Sequence, residues 1–409
     1  MAEGLCCQGD CLPWITAQGA RHGGQMARIV RALPGYGEIP AGLPIIVDEG
    51  LAIVEPAFAF LFELATVPGR SHATETIRTY GEHLHDWFDS LEQSGVGWWD
   101  VGEPEIAAWR NRMLARPSSH TKRPYARSTI NDRVRTVCRF YSWAHDRGWI
   151  DALPFHFVEV RIGRHRRSML GHLELRPGVV AANVLTVSEH ERLPRALRAD
   201  QLCHLFAVLA PPYDLMASWA LVTGMRRKEL CALDVYQVPE TAHLDADDHP
   251  LVGVGLTITK GDRPRTVYPP IRLLDATHRY IDEVRGPLIR RLRRIDRAYR
   301  PPSALFLNHH GMAVSRARFT AAMSAAFAAA GVVGTGHWLR HTFAMTMLAR
   351  LQHQARTTPD INPLKVVQTL LGHSSISSTA IYLRCVELHS TELEESVDYL
   401  YGALVGDGR

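Results

Sequence analysis

Arg226, Lys260, His337, Arg340, His373 and Tyr382 are the side chains of this sequence whose chemistries combine into a reaction. A phosphodiester is an anion with a poor leaving group. Breaking one without a metal takes a nucleophile, cations for the charge that builds on the nonbridging oxygens, and carriers for protons. A phenol supplies the first, two arginines the second, and two histidines with a lysine the third. Each guanidinium keeps its proton and grips two phosphate oxygens with a planar fork, which makes Arg226 and Arg340 the natural clamps. His337 is placed as proton acceptor or donor to the nucleophile, His373 as hydrogen-bond donor to the phosphate, and Lys260 as general acid for the departing 5′ oxygen.

Taken singly, each of these residues has an ordinary reading. Arg226 can pair with Glu229 three residues on, as helical neighbours do. Lys260 can be an exposed turn lysine, the histidines packed or surface residues, and Tyr382 a core aromatic. His337 and His341 also have the i, i+4 spacing of two zinc ligands. However, Trp338 stands where the metalloprotease motif has Glu, no third ligand follows, and Arg340 beside them would repel a cation. No metal and no cofactor are expected.

The elements that must hold these residues follow from local pattern. Thr223-Gly224 is a turn that opens a helix at Arg226, where backbone amides also favour an anion. Val252, Val254, Leu256 and Ile258 alternate with Gly and Thr, the period of a half-buried strand. Lys260-Gly261-Asp262 then turns into a second strand through Thr266, Val267 and Tyr268, leaving Lys260 at a hairpin tip. Helices are expected over 202–209, 215–222, 271–297, 316–330, 337–350, 364–371 and from 378 onward. Residues 199–409 therefore read as a catalytic domain that is mostly α with a small β-sheet.

A chain of 409 residues exceeds what one core usually fills. Residues 1–44, rich in Gly with Pro34 and Pro40, read as a loosely ordered extension. Over 45–155 the apolar residues take helical spacing: Ile77, Tyr80, Leu84, Trp87, Phe88 and Leu91 on one face, and Ile130, Val134, Val137, Cys138 and Tyr141 on another. These stripes are assigned to packing in a compact helical domain. Its polar faces are the candidates for DNA contact, through Lys122, Arg123, Arg127, Arg133 and Arg135. Residues 156–198 read as a basic connector between domains, with Arg161, Arg164, Arg166 and Arg167 as further phosphate contacts.

The bulk composition is permissive rather than decisive. A net charge of +4 and a pI near 8.7 are only mildly basic, but the basic residues cluster: seven arginines lie between Arg285 and Arg300. The seven cysteines include Cys6, Cys7 and Cys11 without the second pair of a zinc knuckle or disulfide framework, so reduced thiols are expected. No targeting start and no run of about eighteen apolar residues is present, which points to the cytoplasm and away from the membrane.

The ordered occurrence of all six residues within Thr-Gly-Met-Arg-Arg, Thr-Lys-Gly-Asp, His-Trp-Leu-Arg-His-Thr-Phe-Ala and Leu-Gly-His-Ser-Ser-Ile-Ser-Ser-Thr-Ala-Ile-Tyr resembles the tyrosine recombinase, or phage integrase, family. The resemblance covers about 200–385, and the helical domain before it is similar to that family's core-binding domain. It implies a mainly α fold with a small β-sheet: an N-terminal helical core-binding (SAM-like) domain plus a C-terminal α+β catalytic domain. It also implies that Tyr382 attacks the scissile phosphate, giving a 3′-phosphotyrosyl link and a free 5′ hydroxyl, without water or nucleotide cofactor. A 5′ hydroxyl from a second duplex then reverses the step. Double-stranded DNA is the implied partner, bound by a homotetramer on two sites, with accessory proteins as further partners. The C-terminal stripe Leu393, Val397, Leu400 and Leu404 would dock on a neighbour or pack on its own domain.

On this resemblance the chain is a site-specific recombinase or integrase acting in integration, excision, cointegrate resolution or transposition of a mobile element. Two other readings stay open: a DNA-binding regulator that kept the fold and lost the chemistry, and a type IB topoisomerase that relaxes supercoils. The intact catalytic set argues against the regulator. The long start before residue 45, the stretched connector and the extra segment around 353–362 leave the subfamily open.

Overall fold

The computed structural model describes residues 15–17, 27–35, 37–67, 73–118, 121–161, 179–183, 185–189, 193–241, 252–258, 264–357, 361–373 and 376–388. The chain divides into two compact units, residues 1–191 and 192–409.

In the first unit, strands β1 (Ile15–Ala17), β2 (Arg28–Ala32) and β3 (Pro44–Val47) form an antiparallel sheet in that order. Four helices follow: α1 (Glu55–Thr66), α2 (Thr74–Ser94), α3 (Glu103–Ala115) and α4 (Arg127–Asp146). The stripes of α2 and α4 are buried as their spacing indicated, with Leu84, Ile130, Val134 and Val137 fully enclosed. Trp87 is the hinge of this packing: its ring meets Trp109 edge-on at 5.2 Å and its Nε1 donates to the Tyr141 hydroxyl at 3.3 Å. A buried indole or phenol keeps a hydrogen-bond partner because losing one in an apolar core is costly.

The stretch before residue 45, expected as a loose extension, is not loose where it is described. Val30 pairs with Ile45, all four residues of β3 are buried, and Pro44 lies so close to Gly81 of α2 that a Cβ there would sit 2.5 Å from the proline ring. The reason it escapes pattern reading is physical. The strands are only five and four residues long, and β3 is apolar throughout instead of alternating, as happens when neither face meets water.

The region 156–198, expected as a connector, likewise contains paired strands. β4 (Phe157–Arg161) and β5 (Val179–Asn183) run antiparallel, with Val160 opposite Val180. Beyond them Val187 is fixed to α4 through both polar atoms of the Asn131 amide, at 2.9 and 2.8 Å. The Pro, Gly and Arg mixture hides a hairpin because pairing is made by residues about twenty apart, which no local window reports.

The second unit begins with α5 (Ala199–Val208), α6 (Tyr213–Thr223) and the single turn α7 (Arg227–Cys231). Strands β6 (Val254–Leu256) and β7 (Arg265–Val267) pair antiparallel, Val254 opposite Val267, as the alternation required. Then come α8 (Ile271–Arg279), a π-helical turn over Tyr280–Arg285, and α9 (Gly286–Ile295). The unit closes with α10 (Arg316–Ala329), α11 (His337–Ala355), α12 (Pro363–Leu371) and α13 (Ser377–Leu388). α11 is the central helix of this unit, packing on α6, α12 and α13. Leu339, Ala344 and Leu348 give it a fully buried stripe.

Candidate active site

Two left-handed glycines bring the site together. α6 ends at Gly224 with φ 64°, and a Cβ there would stand 2.5 Å from the Phe343 ring of α11. α12 ends at Gly372 with φ 60°, where a Cβ would stand 2.5 Å from the Arg265 side chain. Only glycine meets both demands, a positive φ and a close approach.

The last carbonyls of a helix have no partner within it and carry its negative end. At the end of α12 three arginines take three consecutive ones. Arg265 Nη1 donates to the Leu370 carbonyl, Arg340 Nη2 to Leu371 at 2.8 Å, and Arg226 Nη2 to Gly372 at 3.3 Å. Arg340 also donates through Nη1 to the Gly224 carbonyl, so one guanidinium ties α11 to the ends of both α6 and α12.

Glu229 is the carboxylate of the cluster. It receives the Arg226 backbone amide at 2.7 Å, Arg226 Nη1 at 3.1 Å and Arg265 Nη2 at 2.7 Å. Burial by itself raises its pKa, but hydrogen bonding and charge from Arg265, followed by Arg226, more than offset this and leave it lowered. The pairing of Arg226 with Glu229 that the spacing suggested is therefore present, and it coexists with Arg226's place in the cluster. Among the described residues, three arginines against one carboxylate leave an excess of positive charge.

The neighbouring groups register that excess. Burial first, then Arg226 and Arg265, pull the Arg340 pKa down to about 9, which still leaves it cationic at neutral pH. His373 falls to about 4 through burial, then Arg340, Arg226, Arg265 and His337. His341 falls to about 4 through burial, then His337 and Arg340. His337 is lowered by burial, then Arg340, Arg226 and Arg227. All three imidazoles are thereby kept neutral at neutral pH, in a place that repels further protons and attracts an anion.

Hydrogen bonding fixes which nitrogen of the His373 ring carries the proton. Arg340 can only donate, so His373 Nε2, 3.1 Å from it, is the acceptor, and His373 Nδ1–H faces Thr379 Oγ1 at 2.9 Å. Acting as donor to a phosphate, as expected of His373, requires the Arg340 contact to give way.

Tyr382, on α13, is 3 % exposed, and its ring stacks on His373 at 6.3 Å. Burial raises its pKa, opposed by the charges of Arg340 and Arg226. Its hydroxyl lies 3.0 Å from His341 Nδ1. The sequence assigned the proton exchange with the tyrosine to His337. In the structure His337 opens α11 with part of its surface in solvent and its ring packed edge-on to His341, centroids 4.4 Å apart. Thus the fold brings Arg226, Arg340, His373 and Tyr382 together with His337 at their edge. Lys260 lies outside the described residues.

Sequence reasoning missed Arg265, Glu229 as a shared anchor, and His341 as the group against the phenol. His341 was visible only as half of a zinc pair, whereas in the structure its Nδ1 faces Tyr382.

The DNA-contact candidates of the first unit separate into kinds. Lys122 and Arg123 are exposed just before α4. Arg127 donates to the Ser188 carbonyl at 2.9 Å, and Arg135 pairs with Asp132 at 3.1 Å and reaches Glu189 at 3.5 Å, so both help hold the 187–189 segment. Arg133 turns inward, 2.7 Å from Asp86 with its guanidinium over the Tyr125 ring at 5.1 Å. Arg161 lies in β4, and Arg164, Arg166 and Arg167 lie outside the described residues, as does the stripe Leu393, Val397, Leu400 and Leu404.

Comparison with known proteins agrees with this geometry. The Phage integrase family matches residues 195–388, and the Phage integrase, N-terminal SAM-like domain matches residues 61–148. Tyrosine recombinase XerD of Lacticaseibacillus casei is 32% identical over 295 residues, covering 66% of this chain and 91% of that protein. The chain belongs to the tyrosine recombinase family. Another member, tyrosine recombinase XerC of Herpetosiphon aurantiacus, is 33% identical over 315 residues, covering 75% of this chain and 83% of that protein.

The solved structures speak to the fold. XerH site-specific recombinase bound to palindromic difH substrate in a post-cleavage complex superposes with a TM-score of 0.53 at 16% identity, covering 80% of each chain. A lambda integrase dimer bound to a COC′ core site gives 0.51 at 14% identity, covering 80% of this chain and 94% of that one. The tyrosine recombinase architecture, a SAM-like helical unit followed by a helix-rich catalytic unit with small sheets, is thus the architecture of this chain. Among the described residues no helix is long and apolar enough to cross a membrane.

Proposed function

We propose that this tyrosine recombinase is a site-specific DNA recombinase that breaks and rejoins strands through Tyr382. The observation that carries the reading is the excess of positive charge beside a tyrosyl hydroxyl: among the described residues, Arg226, Arg265 and Arg340 gather around the single carboxylate of Glu229. Such a site binds the scissile phosphate and, more important for rate, stabilises the additional charge of the pentacoordinate transition state.

In this mechanism Arg226 and Arg340 hold the nonbridging oxygens and Tyr382 attacks phosphorus. The deoxyribose 5′ oxygen leaves with a proton from Lys260, and the link left on the protein is a 3′-phosphotyrosine. A phosphodiester has been exchanged for a phosphodiester, so its energy is retained and no nucleotide is consumed. A 5′ hydroxyl from a second duplex reverses the step and completes strand transfer. Two duplexes cut in this way call for four protomers on two DNA sites, with the chain working in the cytoplasm on a mobile element's integration, excision or resolution. The helical first unit, through Lys122 and Arg123, supplies phosphate contacts.

The test uses duplexes selected by the protein from a random pool, nicked beside the scissile position so that the cleaved end is lost. The wild type should accumulate a covalent adduct with a protein-blocked 3′ end, and Tyr382→Phe should bind the same DNA without one. A wild type that binds its selected duplex but leaves no adduct would remove this reading. On a plasmid carrying two sites, recombinant circles are expected; relaxation alone would favour a topoisomerase.

A further inference from the structure

We infer that His341 is the group that takes the proton from the Tyr382 hydroxyl. The inference rests on the reading of Tyr382 as the nucleophile, and it moves the proton exchange with that residue from His337, expected as its proton acceptor or donor, to the residue after Arg340.

The geometry carries it. The phenolic oxygen lies 3.0 Å from His341 Nδ1, within the reach of direct proton transfer, and the two rings meet at 54° with centroids 5.7 Å apart. A phenol has a single proton to give. The other rings are unsuited to receive it. His373 spends Nε2 on Arg340 and Nδ1 on Thr379, and its ring lies parallel to that of Tyr382, within 10°, rather than pointing a nitrogen at the hydroxyl. His337 is one helical turn away, with its ring against His341.

The placement is also a rigid one. His341 adjoins Arg340, whose guanidinium is fixed to the ends of α6 and α12, while Tyr382 is carried by α13, which packs on the same helix α11. Clamp and base therefore share one rigid element, which is how proton transfer is kept in register with phosphate binding.

Only a neutral imidazole can accept, and the surroundings keep this one neutral. The titratable or charged groups facing it are His337 and Arg340 on α11 and Tyr382 from α13. Of the other ionisable groups on the helices packed against α11, Lys365 and Arg384 are exposed, Cys385 is buried in α13, and Asp214 of α6 accepts from the Leu215 amide. Burial, followed by His337 and the Arg340 guanidinium, holds His341 at about 4 in the free chain. A bound phosphate brings negative charge next to Arg340, which raises the imidazole's basicity at the moment a proton must be received.

The step balances. The Tyr382 O–H bond breaks and its proton moves to His341 Nδ1, giving imidazolium. The phenolic oxygen forms a bond to phosphorus as the bond from phosphorus to the 5′ oxygen breaks, and that oxygen leaves with a proton from the general acid. On rejoining, the 5′ oxygen attacks, its proton goes back to the general acid, and His341 returns its proton to the departing phenolate.

The experiment is single-turnover adduct formation on the nicked duplex described above, from about pH 6 to about pH 9.5. His341→Asn keeps a polar atom near the Nδ1 position but cannot carry the proton. It should melt and bind DNA like the wild type and form adduct roughly 10²–10⁴-fold more slowly, with a rate that climbs with pH where the wild type is flat. His341→Gly should regain rate when free imidazole is added, which also covers an Asn variant that folds poorly. Adduct formation by His341→Asn within about threefold of wild type and with the same pH profile overturns the inference, and so does a Gly variant that imidazole leaves unchanged. An adduct formed by Tyr382→Phe would remove the nucleophile underneath instead, and it is read in a variant whose His341 is intact.

Discussion

Arg265 holds Glu229 with two nitrogens, Nη2 to Oε2 at 2.7 Å and Nε to Oε1 at 3.3 Å, and the carboxylate between them is fully enclosed. Arg226, the cation proposed to hold the phosphate, bonds to that same carboxylate and is only 21 % exposed. Glu229 is therefore the buried anchor on which the clamp is mounted. Removing one partner of such a network strands the others without compensation.

Glu229→Ala should accordingly cost about 3–5 kcal/mol of folding stability, because two arginines lose their counter-charge inside the protein. Glu229→Gln keeps shape and some hydrogen bonding and should cost less. Urea denaturation of the two variants measures both. A Glu229→Ala protein with the midpoint of the wild type would show that the anchor carries no weight.

Arg340→Lys tests a different property, planarity. Arg340 serves the Gly224 carbonyl, the Leu371 carbonyl and His373 Nε2 at once, in directions that a single ammonium on a flexible stem cannot reproduce. The variant should still bind DNA while adduct formation falls roughly 10²–10³-fold, as when one preorganised donor to a developing oxyanion is lost. Equal cleavage by Lys and Arg at this position would mean that charge alone is needed.

The positions that we propose to be catalytic could be singled out because their chemistry is carried by residue type and order, which sequence preserves. Arg226, Arg340, His373 and Tyr382 meet in space although 156 positions separate the first from the last. What sequence could not give is the support. Arg265 sits in a strand of three residues, where an arginine reads as an ordinary solvated position, and its contacts with Glu229 and Leu370 span 36 and 105 positions. His341 was hidden by its neighbour: in His-Trp-Leu-Arg-His both histidines have the same spacing signature, and only the docking of α13 decides which of them meets the phenol. The strands before residue 48 were missed for want of length, since four or five residues barely make a period-two pattern.

His83 gives the first unit a pH dependence of its own. It is 8 % exposed, with Nδ1 2.8 Å from Thr136 Oγ1, and burial followed by Arg133 lowers its pKa to about 4. The unfolded ring takes a proton near its ordinary value of 6.5 and the folded ring only near 4, so between these values the unfolded state binds more protons. The resulting stability is complete above about pH 6.5 and is lost as the pH falls toward about 4, by up to about 3 kcal/mol. Thermal melting over that window should fall more steeply for the wild type than for His83→Gln, and parallel curves would assign the acid sensitivity elsewhere.

The basic residues around α4 should divide between binding and folding. Lys122 and Arg123 are exposed, whereas Arg133 is 15 % exposed, paired with Asp86 at 2.7 Å and stacked on Tyr125. A phosphate contact is recognised by its salt dependence, because each one neutralised releases condensed counterions. Replacing Lys122 or Arg123 by Gln should lower the slope of log affinity against log salt by about one each and leave melting unchanged. Arg133→Gln should do the reverse, leaving the slope and lowering the melting temperature, since Asp86 loses its partner and the ring its cover. If Arg133→Gln lowers the slope while the melting temperature holds, then the Asp86 pair gives way to DNA in the complex and this arginine belongs with the phosphate contacts.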